Sequence, residues 1–251
     1  MKTIILDRLR SIEQEHQIKI HFACESGSRG WQFPSPDSDY DVRFVYTRPM
    51  DNYLSVMPET EHLSFPISAE LDVYGWDLRK VLRLMMKSNT TIFEWLQSPI
   101  IYRTDPLFKQ ELWQMCAHFF NERRNIHHYL GIARGAYESL SDTGEIGIKK
   151  LFYVLRSLLS AKWCLDKNQI APMEIGPLAG LLPGPLQKIV NDMVAYKATA
   201  REQELVMIDP ILKAYIDNEM IRISSAEKTL IERNFDVVPL NQFLKKTLEE
   251  K

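Results

Sequence analysis

The spacing of apolar residues changes at Gly75, and this change restricts the fold more than any other feature of the sequence. Up to Gly75, the segments 18–24, 40–47 and 67–75 show apolar/polar alternation or are rich in aromatic and β-branched residues, as strands are. Beyond Gly75, apolar residues recur at intervals of three and four, as on one face of an amphipathic helix. The sequence therefore predicts the α+β class, with a small sheet domain at 1–103 and a mainly helical domain at 104–251.

Helices are predicted on both sides of the strand-rich region. The first covers 3–16, and another covers 78–87 behind Asp77, which is a typical N-cap residue. The apolar face of that second helix consists of Leu78, Val81, Leu82 and Met85. The remaining helices are predicted at 90–97, 106–120, 122–140, 145–167, 185–203 and 209–233, with a short one after Pro239.

Composition limits the classes of protein to which the chain can belong. With 251 residues and 45% hydrophobic residues, it can bury a sizeable core. A formal net charge of −2 lacks the strongly basic balance of many nucleic-acid-binding proteins, so a nucleic-acid partner must be met by a local patch. The three cysteines form no Cys-x-x-Cys pair, which argues against a zinc module and a disulfide framework. No apolar run approaches the length of a membrane span. We expect a cytoplasmic protein with no membrane partner.

One segment, SGSRGWQFPSPDSDYDV, combines features suited to phosphoryl transfer. Gly27 and Ser28 form a tight turn after the first strand, where backbone amides and a hydroxyl can bind phosphate oxygens. After a spacer of ten residues, Asp39 and Asp41 are spaced so that both side chains lie on one face of a strand. Carboxylates in this arrangement are suited to one or two Mg²⁺ ions that bridge phosphates. The alternative is a solvated strand edge or a turn cap.

A third carboxylate from a neighbouring strand would complete such a site. Asp72 is our choice, because a strand neighbour can hold its side chain beside the other two and accept the proton of an attacking hydroxyl. Glu70 shares the predicted face and remains the alternative. Arg43, on the same face as Asp41, is expected either to neutralise Asp41 or to contact a triphosphate. Arg29, inside the Gly-Ser loop, is a second candidate for phosphate binding.

The helix predicted at 145–167 has a cationic face. Lys150 and Tyr153 lie three residues apart on it, with an apolar stripe on the other side of the helix. Such a face is suited to binding a triphosphate and stacking a base. The alternative is an ordinary solvated helix surface.

Together, Gly27-Ser28 and the Asp39-x-Asp41 pair resemble the active-site signature of the DNA polymerase beta superfamily of nucleotidyltransferases. Longer segments resemble its bacterial and phage RNA repair pathway DNA polymerase beta family, from about residue 18 to about residue 165. These segments are GSRGWQF, SPDSDYDVRFVY, GWDLRKVLRLMMKSN, EWLQSPIIY, HHYLGIAR and KKLFYVLRSLLSAKW. The resemblance implies a small mixed sheet that carries the carboxylates, packed on a helical domain.

The same resemblance implies a chemistry. Asp39, Asp41 and Asp72 would bind Mg²⁺ or Mn²⁺ and act in catalysis, and Lys150 and Tyr153 would contact the nucleotide. We expect transfer of a nucleoside monophosphate from a nucleoside triphosphate to a hydroxyl, with release of pyrophosphate. The acceptor is left open between an RNA or DNA end, a protein and a small molecule. The alternative class is a non-catalytic nucleotide sensor or partner-binding protein with the same fold.

Overall fold

The computed structural model describes residues 1–57, 59–68 and 70–249. Ala69, which belongs to the strand predicted at 67–75, lies outside the described residues, as do Pro58, Glu250 and Lys251. The chain divides into two compact units. The sheet unit comprises Met1–Gly27, Asp39–Phe119 and Asn234–Lys251, and the helical unit comprises Ser28–Ser38 and Phe120–Arg233. These units do not coincide with the predicted segments 1–103 and 104–251, because residues 104–119 and the C-terminal segment group with the sheet, and Ser28–Ser38 groups with the later helices.

The elements follow one another along the chain with few long gaps. The strands are β1 (Lys19–Glu25), β2 (Tyr40–Thr47), β3 (His62–Ser64), β4 (Leu71–Asp77), β5 (Ile101–Thr104), β6 (Glu145–Gly147) and β7 (Leu205–Met207). The helices are α1 (Lys2–His16), α2 (Gly27–Gly30), α3 (Met50–Leu54), α4 (Leu78–Met86), α5 (Thr90–Gln97), α6 (Pro106–His118), α7 (Glu122–Tyr137), α8 (Ile148–Lys167), α9 (Ile175–Ala179), α10 (Gly184–Lys197), α11 (Pro210–Glu227) and α12 (Val238–Glu249). In the described ranges, no helix is both long enough and apolar enough to cross a membrane.

The sheet unit is built on a five-stranded mixed sheet in the order β3-β4-β2-β1-β5. β2 and β4 run parallel, whereas the other neighbouring pairs are antiparallel. Ile5, Leu9 and Ile12 of α1 are buried in one cluster with apolar residues of the sheet. A mixed sheet combined with many helices confirms the predicted α+β class.

The helical unit has its own apolar core, formed mainly by α7, α8 and α11. Phe33 belongs to this core, where its ring stacks on that of Phe152 with 4.8 Å between the centroids. The rings of Trp31 and Tyr153 pack nearly perpendicular to each other, with 5.2 Å between their centroids. These packed rings explain why the loop segment 28–38 groups with the later helices.

Several boundaries differ from those predicted. The helix expected from residue 145 begins at Ile148, because residues 145–147 form β6 and pair with β7. The third strand, expected at 67–75, runs from Leu71 to Asp77. Asp77 acts as the predicted N-cap, since its side chain accepts a hydrogen bond from the Arg79 amide at 2.8 Å. The short strands β3 and β5 were not predicted.

Candidate active site

Asp41 and Asp72 are direct neighbours on the parallel strands β2 and β4. The guanidinium of Arg43 lies between their carboxylates, with Nη2 2.8 Å from Asp41 Oδ1 and 2.7 Å from Asp72 Oδ2. All three side chains are partly exposed, at 26% for Asp41, 29% for Asp72 and 17% for Arg43. Two carboxylates this close repel each other unless a cation lies between them. Arg43 supplies that cation, and solvent still reaches the group.

Backbone contacts fix the position of the Arg43 guanidinium. Its Nη1 donates to the Val42 carbonyl at 3.2 Å and to the Asp72 carbonyl at 3.1 Å. With both terminal nitrogens bound, the guanidinium joins β2 to β4. Of the two predicted roles for Arg43, neutralisation of Asp41 is observed, and contact with a triphosphate stays a prediction.

Gly27 is required by the position of Asp41. Its φ is +56°, and an added Cβ would stand 1.9 Å from Asp41 Oδ2. Any side chain there would displace the Asp41 carboxylate, and residues that carry a side chain are strained at this φ. The Ser26 amide donates to the Asp41 carbonyl at 2.8 Å. Ser26 and Gly27 therefore lie directly against the start of β2.

Glu25 is a buried carboxylate that sequence reasoning missed. Its Oε1 accepts a hydrogen bond from the Asp41 amide at 2.7 Å, and its Oε2 accepts one from the Tyr102 hydroxyl. The side chain of Ser98 donates to the Glu25 carbonyl at 2.6 Å. A glutamate at the end of an apolar strand, directly before the Gly-Ser turn, was the available signal. Glu25 holds the backbone of Asp41 in place from the neighbouring strand.

The other predicted carboxylates lie outside the strands. Asp39 is exposed and lies one residue before β2, so its place on the same face as Asp41 stays a prediction. Glu70 is exposed in the turn before β4, where its carbonyl accepts from the Tyr40 amide. Among the described residues, no three His, Cys, Asp or Glu side chains are grouped closely enough to hold a metal ion. The arrangement thus brings Asp41 and Asp72 together, without a third carboxylate.

Asp41 and Asp72 fit a divalent ion in the chemistry of their donors. Carboxylate oxygens are the ligands that Mg²⁺ and Mn²⁺ prefer. The position between them is already taken by the cationic guanidinium of Arg43. A metal ion bound by both carboxylates would therefore take over the charge-neutralising position of Arg43.

In the helical unit, Ser28 and Arg29 are held by contacts of the loop itself. Ser28 is buried, and its carbonyl accepts from the Phe33 amide at 3.0 Å. Arg29 Nη2 donates to the Ser38 carbonyl at 2.7 Å. Arg29 thus joins the two ends of the segment 28–38, whereas its predicted contact with phosphate is untested.

A network of charged and hydroxyl groups anchors the end of this loop. Lys197 is fully buried, and its Nζ donates to Ser35 Oγ at 2.8 Å. Ser38 Oγ accepts from the Ser35 amide at 2.9 Å and donates to Glu202 Oε1 at 2.6 Å. Glu202 Oε2 accepts from Lys149 Nζ at 2.6 Å. Local sequence patterns do not reveal this network, because the loop residues Ser35 and Ser38 lie more than 100 residues before Lys149, Lys197 and Glu202.

The surroundings favour the charged form of Glu202 but not that of Lys197. Burial lowers the pKa of the Lys197 ammonium below its ordinary value. For Glu202, burial acts to raise the pKa, but the hydrogen bonds from Lys149 and Ser38, together with the positive charges of Lys149 and Lys197, outweigh it and lower the pKa. Glu202 is thereby favoured as a carboxylate, whereas the charge on Lys197 is disfavoured.

Lys150 and Tyr153 lie near the start of α8, one turn apart. Lys150 is exposed, and Tyr153 is half-buried against Trp31. The guanidinium of the buried Arg156 lies 4.3 Å from the centre of the Trp31 ring. Tyr153 thus has a packing role in addition to the predicted contact with a base.

The chain matches the model of a known protein family over nearly its whole length. The family model described as "RNA repair pathway DNA polymerase beta family" matches residues 1–246. The chain belongs to this family. The RNA repair pathway DNA polymerase beta family was also the one that the sequence segments resembled, so the resemblance is confirmed.

Two further similarities place this family member among other proteins. It is 37% identical to the uncharacterized protein YcgL of Bacillus subtilis over 253 residues, which is 100% of this chain and 97% of that protein. A solved structure of a nucleotidyltransferase-like protein from Exiguobacterium sibiricum aligns with 98% of this chain and 80% of that one. The identity is 12% and the TM-score 0.33, which is too low to support a conclusion.

Proposed function

We propose that this protein transfers a nucleoside monophosphate from a nucleoside triphosphate to a hydroxyl acceptor and releases pyrophosphate. The observation that carries the proposal is the Asp41–Arg43–Asp72 group, in which two carboxylates on neighbouring strands share one cation. The family to which the chain belongs supports the same reaction class. Phosphoryl transfer depends mainly on positioning and on neutralising negative charge, and this group offers both.

In the proposed reaction, the acceptor oxygen attacks the α-phosphorus, and the bond from that phosphorus to the bridging oxygen breaks. Pyrophosphate leaves with the electrons of that bond. The proton of the acceptor hydroxyl passes to a carboxylate, for which we propose Asp72, because it is partly exposed and held by Arg43. Asp39 and Asp41 are proposed as further metal ligands. Mg²⁺ or Mn²⁺ would supply charge neutralisation for the phosphate oxygens.

The helical unit is proposed to contribute nucleotide contacts of its own. Ser28 and Arg29 offer a hydroxyl and a guanidinium, while Lys150 offers an exposed ammonium. Tyr153 presents a half-buried ring that packs nearly perpendicular to the ring of Trp31. For the acceptor, we propose an RNA or DNA end, following the description of the family.

One observation also favours a second candidate, a nucleotide sensor without transfer activity. Clustered carboxylates would ordinarily demand a metal ion, since their repulsion destabilises the fold. Arg43 reduces that demand, because it pairs with both Asp41 and Asp72 and offsets one of their two negative charges without a metal. A protein with this group can therefore be stable and bind nucleotide with no catalytic metal.

Labelled nucleotides distinguish the two functions. The protein is incubated with each α-³²P-labelled nucleoside triphosphate, with Mg²⁺ or Mn²⁺, and with separate RNA, DNA and protein pools. Transfer predicts that one pool acquires label and that Asp41→Asn abolishes the labelling. Saturable nucleotide binding with no labelled pool and no pyrophosphate release would support the sensor instead.

A further inference from the structure

A groove in the sheet unit has the character of a docking site. It lies between α4 and α12, has a volume of about 490 Å³ and is not lined by Asp39, Asp41 or Asp72. This volume falls within the range of roughly 300 to 1,000 Å³ that is usual for ligand sites. The groove is therefore large enough to hold several side chains of a partner, away from the carboxylates.

The α4 wall of the groove is cationic. Its cations are Arg79, Lys80, Arg83 and the capping residue Lys87, which stand beside the apolar Leu82, Leu84 and Met86. The described lining contains no carboxylate. Arg79 contacts the carbonyl and ring of Tyr53 and lies near Asp77, which does not line the groove, and Lys80 lies 5.1 Å from the centre of the Trp76 ring. Arg83 pairs with Glu61, which does not line the groove. The wall thus keeps a net positive charge.

The α12 wall is apolar and has helical spacing. Val237, Leu240, Asn241 and Leu244 line it at intervals of three, one and three residues. This is the spacing with which one helix presents a stripe to another helix. Leu240 is buried in the sheet unit, whereas Val237 is 45% exposed at the mouth of the groove. An apolar stripe on a partner helix would cover this wall.

The spacing of the cations in the groove also matches a helical partner. Arg79, Arg83 and Lys87 recur every four residues, which corresponds to about 6 Å per step along α4. Acidic residues spaced by four on a second helix recur with the same rise. The described lining contains no aromatic ring on which a nucleic-acid base could stack. Charge and shape therefore favour an acidic helix over a single-stranded nucleic acid.

We propose that the groove between α4 and α12 binds an acidic amphipathic helix of a partner protein. The apolar stripe of that helix packs on Val237, Leu240 and Leu244, and its acidic residues pair with the cations of α4. This recognition is the helix-in-groove type. It is separate from the proposed transfer reaction, because no residue of the groove belongs to the candidate active site.

The test uses a labelled helical peptide of two to three turns. Its leucines recur at helical spacing and form one apolar stripe, and a Glu stands at every fourth position beside this stripe. Its binding to the full chain is followed by fluorescence anisotropy. Two peptide controls accompany it, one with Glu replaced by Gln and one of the same composition with the stripe scrambled. We expect saturable binding of the acidic peptide, weakening as salt is added, and affinities at least about tenfold weaker for both controls.

Three variants test whether the peptide binds in the groove. Lys87→Glu and Val237→Asp change exposed lining residues and should each weaken binding by about tenfold. Lys245→Glu changes an exposed lysine of α12 outside the lining and should bind like the unchanged protein. A peptide with one Glu changed to Lys should bind Lys87→Glu better than it binds the unchanged protein. Circular dichroism checks that each variant is folded.

Three results would overturn the proposal. The first is no saturable binding of the acidic peptide up to about 1 mM, the weak limit of specific association. The second is binding that Lys87→Glu and Val237→Asp leave unchanged. The third is tighter binding of a single-stranded oligoribonucleotide that both variants abolish, which would make the groove a nucleic-acid site.

Discussion

The carboxylate of Asp41 occupies the space in which a side chain on Gly27 would stand, with Oδ2 only 1.9 Å from the position of an added Cβ. The backbone at Gly27 and the carboxylate of Asp41 therefore depend on each other for their positions, even before any ligand binds. The conservative substitution Gly27→Ala should disturb both.

For Gly27→Ala, we expect a free energy of unfolding lower by about 2 kcal/mol or more, from strain at positive φ plus the clash with Asp41. Urea denaturation measures this change. Gly131→Ala is the matched control, because Gly131 lies in α7 with open space around its Cβ position. Alanine should stabilise that helix by up to about 1 kcal/mol. Equal effects of the two substitutions would contradict the close approach of Gly27 to Asp41.

Arg43→Met should destabilise the protein in metal-free buffer, because it leaves Asp41 and Asp72 without their shared cation. We expect a loss of roughly 2 kcal/mol, or a melting temperature lower by about 4–8 °C. Mn²⁺ should then raise the melting temperature of the variant more than that of the unchanged protein, because the ion takes over the position of the guanidinium.

Differential scanning fluorimetry with and without Mn²⁺ measures this difference. Arg10→Met removes an exposed pair with Asp7 and should change stability by no more than about 0.5 kcal/mol. Adding Asp41→Asn to Arg43→Met should abolish the extra effect of Mn²⁺. A persistent Mn²⁺ effect in that double variant would place the ion elsewhere.

The sequence predicted the elements that carry the carboxylates better than the interactions that hold them. β2 was predicted with its observed ends, and Asp77 with its observed capping role, because both depend on neighbouring residues. The start of α8 was wrong, since residues 145–147 pair with 205–207, a contact that local spacing does not encode. The roles of Glu25 and Lys197 are likewise contacts between segments distant in sequence.

Lys197 should make stability depend on pH. Its pKa in the folded protein is lowered by burial, so the folded state holds this proton less tightly than the unfolded state, in which the pKa is about 10.5. The free energy of unfolding should therefore rise with pH, relative to Lys197→Met, until the pH passes about 10.5. Urea denaturation of both proteins at several alkaline pH values measures the difference.

Lys188→Met provides the control for this experiment, because Lys188 is an exposed lysine of α10. Its difference from the unchanged protein should show little dependence on pH in the same range. A difference between the unchanged protein and Lys197→Met that is flat, or that falls as pH rises, would contradict a lowered pKa of Lys197.

Lys150→Ala should weaken nucleoside triphosphate binding by about 1–3 kcal/mol, as expected for the loss of a charge-assisted contact. Because Lys150 is exposed, the melting temperature should change little. Isothermal titration calorimetry with Mg²⁺ and each nucleotide measures the affinity. Lys188→Ala removes a comparable exposed charge and should bind as the unchanged protein does. Unchanged affinity in Lys150→Ala would leave it an ordinary surface lysine.

Single-turnover kinetics of Asp72→Asn test most directly whether Asp72, beside Asp41, takes part in nucleotide transfer. Transfer to the acceptor identified by labelling is measured together with equilibrium nucleotide binding, and Glu70→Gln serves as the matched control from the preceding turn. We predict that Asp72→Asn keeps nucleotide binding but loses transfer by several orders of magnitude, whereas Glu70→Gln retains most of it. Full transfer by Asp72→Asn together with its loss in Glu70→Gln would contradict this role of Asp72.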